Sequence, residues 1–442
     1  MGMKYIEHAK NVLLVVLVLL SILLTFTIWT YTPNYKTIQP APTVDISISS
    51  KAKLDDVIQP YKVIYRFNDH FTGTTSPFDV ERLMSIMQSW EIRDLRQEPQ
   101  LTNDAMNEVS KAPNRFTMFF QADLPFLSFD DIVPFAPSQL PETGFNRIVV
   151  DWNRSTSGEM NIRFISSETG LNYSAKASKI DGQEFDQRVI ASAVEFAKYT
   201  EIPRSESLSF FLPINNVEAI NYTYILKEVN PQKFRDALFN DPNLVRRSSV
   251  GLYNDEYSDD SALMNVDLLE RSFNYGYPSA EPMQPGVPSK LIEDSMDFMN
   301  EHGGWTDDFR LVHVQASNQL VEYQLYLLGY PVYSDMMPTK ISTYWGNGRL
   351  YRYVRPYYQL DVSVPSATDI TSLPSGTETV KKLSATKDLD LSAIDEVQIG
   401  YYLTRDDENR ILTLQPSWFT ITNGSWTRLT HENPGGATFG LE

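Results

Sequence analysis

The chain has 442 residues, with 38 Lys plus Arg against 56 Asp plus Glu, a formal charge of −18 and no cysteine. That charge disfavours nucleic acid and anionic lipid surfaces, which are gripped through cationic contacts. The missing thiols exclude cysteine catalysis, cysteine metal sites and disulfides.

In chain order, residues 1–10 read as a short tail and residues 11–31 as a transmembrane helix. From Val12 to Trp29 the run is apolar and uncharged. Roughly 20 residues at about 1.5 Å each cross a hydrocarbon layer of ~30 Å. Ser21, Thr25 and Thr27 interrupt the run mildly, because their hydroxyls can bond back to helix carbonyls. Trp29 and Tyr31 fall where an interfacial aromatic belt belongs. The run exceeds a signal-peptide core of about 7–15 residues, and no A-x-A-like cleavage site follows it. Lys4 and Lys10 precede the helix and Lys36 follows it. The positive-inside bias therefore predicts a cytoplasmic N-terminus, with residues 32–442 outside a cell membrane that is crossed once.

Residues 32–43 contain Pro33, Pro40 and Pro42 and read as a stiff stalk. An N-terminal α+β domain is expected over 44–204. Its strands are Tyr61–Phe67, Arg115–Ala122, Arg147–Trp152 and Met160–Ile165. One helix starts at Pro77 and runs to about Ile92, with Ser76 as N-cap and Asp79 reaching back as in a capping box. An amphipathic helix is predicted over Asp181–Thr200, with Phe185, Val189, Val194 and Phe196 among its apolar positions.

A middle unit is expected over 205–284. It has a strand from Tyr222, a helix after Asn230-Pro231, strands near Val250–Tyr253 and Ala262–Leu269, and a proline-rich linker at Pro278–Pro288. A C-terminal unit, 285–442, opens with a helix that has Ser289 as N-cap and closes at Gly303-Gly304. Strands Phe309–Val314, Leu320–Leu327 and Lys340–Trp345 follow. Asn347-Gly348 signals a type I′ turn into Arg349–Val354. After a helix near Thr377–Ser384, a hairpin pairs Glu396–Thr404 with Arg410–Thr420. Val397, Ile399, Tyr401 and Leu403 share one face of it, opposed by Leu412, Leu414 and Trp418. The last two units each run from a helix into an antiparallel meander.

Residues with catalytic chemistry are sparse. The five histidines are His8, His70, His302, His313 and His431, and none has H-E-x-x-H spacing. His302 reads as a helix-end cap. Ser50–Lys53 and Ser384–Lys387 fit S-x-x-K, but the companion S-D-N and K-T-G elements are missing. The acidic groups at Asp255–Asp260 and Asp406–Glu408 lack calcium-loop spacing and read as solvated turns. No catalytic, cofactor or metal residues are assigned. The site that remains is one face of the membrane helix. Ser21 and Thr25 stand four residues apart, with Val18 and Ile28 continuing the stripe, and small hydroxyl residues at that spacing let two helices approach.

Four segments carry a resemblance to a known family. They are TIWTYTPNY (Thr27–Tyr35), NPQKFRDALFNDP (Asn230–Pro242), YQLYLLGYPVYS (Tyr323–Ser334) and GYYLTRDDENRILTLQPSWFTI (Gly400–Ile421). In their order, and behind the anchor, they resemble the YycH family of extracytoplasmic auxiliary proteins. The last two also resemble the sister protein YycI. The resemblance implies three mixed α/β domains outside the membrane, the last two YycI-like. It implies a non-enzymatic role without cofactors, in which the membrane helix meets the helices of a YycG/WalK-type sensor histidine kinase beside a YycI-type partner. The kinase would govern cell-wall metabolism. Two other readings stay open: an envelope module that binds a wall polymer or peptide, and an envelope hydrolase.

Overall fold

The structure is a computed structural model. It describes residues 13–14, 16–25, 51–136, 139–282, 284–364, 369–386 and 389–430. The chain divides into two compact units, Met1–Val44 and Asp45–Glu442. In the first, the described residues are helical. None of the described helices is long and apolar enough to cross a membrane. Ile28, the tail, the stalk and residues 26–31 lie outside the described residues.

The second unit carries two large sheets. The first has nine strands, in the spatial order Glu91–Glu98, Asn172–Ser178, Met160–Ile165, Gly144–Asp151, Arg115–Pro125, Lys62–Arg66, Phe71–Thr74, Ala197–Arg204, Ser207–Pro213. Every pairing in it is antiparallel. Its interior strand Lys62–Arg66 is covered on both faces, with Lys62 through Tyr65 buried. On one face the helix Pro77–Met87 buries Val80, Leu83, Met84 and Met87. On the other, Ile64, Phe119 and Phe211 form a small separate cluster.

Several expected boundaries move. The helix from Pro77 ends at Met87, and Glu91–Glu98 is a strand laddered to Asn172–Ser178. Asp79 does not close a capping box; its carboxylate accepts from Arg82 at 2.7 Å and faces Thr74 Oγ1 at 3.4 Å. The helix predicted to Thr200 stops at Val194, after a π-helical turn at Asp186–Ile190. The wider turn brings Ala193 to the buried side, and Val194 is half exposed. Ala197–Arg204 is a strand instead. Pro203 cannot sit in a helix interior, and the ladder to Ser207–Pro213 satisfies this backbone. The first sheet therefore reaches Pro213, beyond the expected limit at 204.

The second sheet has fourteen strands. Arg246–Ser249, Asn254–Ser258, Leu263–Asp267 and Ser272–Gly276 form a meander that pairs onward with Arg349–Pro356. The expected strand at Val250–Tyr253 is a turn, with Gly251 at φ +83°, and Ser272–Gly276 was not foreseen. Tyr222–Glu228 pairs with both Tyr358–Ser363 and Ile411–Thr422. Strands from before and after residue 284 thus share one continuous sheet. The C-terminal hairpin has the expected register, with Ile399 opposite Trp418 and Leu403 opposite Leu414. Asn347 and Gly348 both take positive φ, 52° and 70°, as a type I′ turn requires.

The helix Pro288–Glu301 has Val287, not Ser289, at its N-cap. Pro288 takes the first turn because its missing N–H is not needed there. Ser289 instead donates its hydroxyl to Glu142 at 3.0 Å. Gly304 closes the other end by donating its N–H to the Met299 carbonyl. The segment Pro278–Pro288 holds a short 3-10 turn at Pro278–Ala280. The helix Gly376–Ala385 packs on the first sheet's edge: Phe210 and Leu212 join Val380, Leu383, Val397 and Trp418 in one core.

Candidate functional site

A row of side chains crosses the middle of the first sheet on the face covered by the C-terminal hairpin. Lys62 is the cross-strand partner of Phe119, and Phe119 is the partner of Arg147. Paired residues in an antiparallel ladder project to the same face. The Phe119 ring therefore lies between two cations, with Lys62 Nζ 4.9 Å and the Arg147 guanidinium carbon 5.1 Å from its centroid. Each is within cation–π range.

The C-terminal hairpin supplies the counter-charge. Glu396 Oε2 accepts from Lys62 Nζ at 3.0 Å and from the Tyr61 hydroxyl at 2.7 Å. Burial pulls the Lys62 ammonium below its usual range, and Glu396 opposes that shift. Burial also pushes Tyr61 well up, helped by the Glu396 charge, so its hydroxyl remains a donor. Arg204 clamps the same segment by donating to the carbonyls of Leu391, at 2.9 Å, and Ile394. Its guanidinium stacks 3.9 Å from the Phe210 centroid. A third bridge runs from Gln121 to Gln398 at 3.2 Å, and from Gln398 to the Tyr333 hydroxyl at 2.8 Å.

Two cavities flank this network. One, of about 500 Å³, is bordered by Gly73, Tyr199, Tyr330 and Trp418. The other, of about 830 Å³, is bordered by Arg147, Arg204, Tyr326, Tyr333 and Glu396. Arg147 Nη1 is sealed from solvent and has no hydrogen-bond partner among the described residues. Elsewhere in the first sheet, Asp123 is pushed up to about 6 by burial, while the Ser166 hydroxyl bonded to it at 2.7 Å opposes the shift.

The face expected on residues 11–31 is only partly described. Val18, Ser21 and Thr25 lie on the described helix and are exposed; Ile28 lies beyond it. Thr25 donates its hydroxyl to the Ser21 carbonyl at 2.8 Å. His302 caps its helix, with Nδ1 3.0 Å from the Phe298 carbonyl and its ring stacked on Phe298 at 4.4 Å. His70 pairs with Asp69 at 2.6 Å. His313 is exposed at the rim of the larger cleft. Ser384 donates to the Val380 carbonyl at 2.9 Å; its S-x-x-K partner Lys387 and the other motif's Ser50 lie outside the described residues, as do His8 and His431. Asp255 is bonded to Arg247 at 2.7 Å and to Ser249 at 2.8 Å, and Asp406 caps its turn through the N–H groups of Glu408 and Asn409.

Lys62, Arg147 and Glu396 escaped the reading of the sequence. The one available signal was Lys62 itself, a charge inside the apolar strand YKVIYRF. Nothing local marks Glu396 as its partner.

The fold is that of an α+β protein in which an antiparallel sheet and a larger, mostly antiparallel sheet, parallel only where Tyr330–Tyr333 meets Glu396–Asp406, are tied by a buried polar network. The chain belongs to the YycH family: residues 7–189 match the YycH protein N-terminal domain and residues 207–436 the YycH protein C-terminal domain. It is 21% identical over 457 residues to the "two-component system WalR/WalK regulatory protein YycH" of Bacillus subtilis (strain 168), covering 99% of each chain. The crystal structure of YycH from Bacillus subtilis superposes with a TM-score of 0.73 and 17% identity, over 87% of this chain and 99% of that one. That likeness establishes the fold.

Proposed function

We infer that this chain regulates a WalK-type sensor histidine kinase of a two-component system and performs no catalysis of its own. The observation that carries the reading is family membership over nearly the whole chain, together with a relative titled as a WalR/WalK regulatory protein. In this reading residues 11–31 anchor the protein, residues 32–442 lie outside the cell membrane, and the anchor packs against kinase helices beside a YycI-type partner. Val18, Ser21, Thr25 and Ile28 form the contacting face. A helix that binds one kinase state better than the other shifts their ratio by that difference, about tenfold per 1.4 kcal/mol.

The test is reconstitution of the full-length chain with a WalK-type kinase in liposomes. The reading expects the kinase autophosphorylation rate to change with added chain and to plateau at a fixed ratio. An unchanged rate at excess chain contradicts it.

A further inference from the structure

We propose that the cavity of about 500 Å³ between the two sheets binds a small, uncharged, mainly apolar molecule, whose one oxygen acceptor is held by the hydroxyls of Tyr199 and Tyr330. The kinase reading is not needed for this. The walls come from both sheets: Gly73, Tyr199 and Phe211 from the first, and Tyr330, Ile399 and Trp418 from the second. A space of this size falls in the range of small-molecule sites.

The charges on its border are already matched. Among the described residues the charged groups there are Lys62 and Asp79. Lys62 is paired with Glu396 at 3.0 Å, and Asp79 with Arg82 at 2.7 Å. An ion entering the cavity would be taken from water without a counter-charge, which is costly. Other polar groups on the border are also committed. The Trp418 indole N–H donates to the Pro374 carbonyl at 2.9 Å, and the Tyr61 hydroxyl donates to Glu396 at 2.7 Å. The Gln398 amide spends its oxygen on Gln121 and its N–H on Tyr333.

The hydroxyls of Tyr199 and Tyr330 are different. Neither has a hydrogen-bond partner among the described residues. The same holds for the hydroxyls of Thr75 and Ser76, but a phenol is the stronger donor. Burial pushes Tyr199 well up, and the Tyr330 and Glu396 charges add to it, so it stays a neutral donor. Its place is fixed by the ladder, opposite Phe71 on one side and Pro213 on the other. The ring lies over Gly73, where a Cβ would come 2.9 Å from Cδ2. Water is a poor sole occupant, because each buried water needs roughly 2–4 polar partners. Phe196, Phe211, Leu212, Ile399 and the Trp418 ring offer it none. A molecule with an apolar body and one acceptor satisfies both parts of the wall.

The experiment is a calorimetric titration of the full-length chain in lipid nanodiscs, with empty nanodiscs as the blank for partition into lipid. The probes are acetophenone, isopropylbenzene, which has a methyl group in place of the ketone oxygen, and benzoate. The expected result is saturable binding of acetophenone at one site and none of benzoate. Tyr199→Phe/Tyr330→Phe keeps both rings and removes only the hydroxyls. It should weaken acetophenone binding by about tenfold, the size of one or two hydrogen bonds. It should leave isopropylbenzene binding no weaker and the ligand-free Tm unchanged. Absence of saturable acetophenone binding, benzoate binding as tight as that of acetophenone, or acetophenone binding unchanged in the double variant overturns the proposal. So does an equal loss for both apolar probes, or a lower Tm in the variant, since either would make the hydroxyls structural.

Discussion

Lys62 and Glu396 stand 334 positions apart in the chain and 3.0 Å apart in the fold. The first opens an interior strand of the nine-stranded sheet, and the second opens the C-terminal hairpin of the fourteen-stranded sheet. Their side chains are only 6% and 15% exposed, so the pair is screened little by solvent.

Breaking this pair from either end should not be equivalent. Glu396→Gln leaves Lys62 facing Arg147 with no carboxylate between them. Lys62→Met leaves Glu396 with the Tyr61 hydroxyl and the attraction of Arg147. Stranding one buried charge costs about 3–5 kcal/mol, whereas replacing both partners by apolar groups is often near neutral. Glu396→Gln is therefore expected to be the more destabilising single change, and Lys62→Met/Glu396→Leu milder than Glu396→Gln. Denaturant titration of the four proteins measures this, and a Lys62→Met loss as large as that of Glu396→Gln, or a double variant no more stable than Glu396→Gln, would contradict it.

Asp123 gives a pH-dependent prediction. Its folded-state pKa is raised from 3.8 to about 6, chiefly by burial, with the Glu168 charge adding to it. A raised folded pKa means the native state keeps the proton to higher pH than the unfolded state. The stability it contributes is fully present below about pH 4 and is lost as pH rises through about 6. Asp123→Asn keeps a neutral group there at every pH. It should stabilise the protein by about 2–3 kcal/mol at pH 7–8 and by little at pH 4. The Tm difference between variant and parent across pH 4–8 reports it, and a difference that is flat with pH excludes it.

Gly329, in the turn after Leu320–Leu327, packs tightly on Thr75 at the end of Phe71–Thr74. A Cβ there would lie 2.1 Å from the Thr75 carbonyl oxygen, and φ is +85°. Gly329→Ala must both strain its own backbone and push Thr75 away. A loss of about 2 kcal/mol or more is expected. Gly348, at φ +70° with open space around it, is the control. Gly348→Ala should cost only the backbone strain, of order 1 kcal/mol. Equal losses at the two positions would deny the close approach.

Much of this architecture could be read from local pattern. Met160–Ile165 and Leu320–Leu327 form strands with the expected limits. The final hairpin has the expected facing residues, because apolar alternation on two neighbouring segments constrains register. The failures arise where long-range partners decide. Ala197–Arg204 continues a helical pattern but is captured by the edge of a sheet. Ser289 is a good cap residue displaced by the stronger demand of Pro288. The joining of strands from 222–276 with those from 309–429 in one sheet is invisible in any short window. So is the buried row: Lys62, Phe119 and Arg147 become neighbours only through strand pairing.

The anchor helix proposed over residues 11–31 yields a sharper expectation than its spacing alone. Thr25 already donates its hydroxyl to the Ser21 carbonyl, so that proton is committed within the helix. Thr25→Val preserves its shape and should change partner association by about twofold or less. Ser21→Leu adds bulk to the close face and should weaken association more. A membrane two-hybrid assay ranks the two, and a larger loss with Thr25→Val would contradict the assignment.

The central claim, that the anchor itself engages the kinase, is tested most directly by exchange of residues 11–31 in the full-length chain for an unrelated membrane helix. Association with a WalK-type kinase is then measured by membrane two-hybrid. The account predicts that association is lost in the exchanged chain and retained by residues 1–35 alone. Association that is undiminished with the foreign helix would place the contact in the outer body and contradict it.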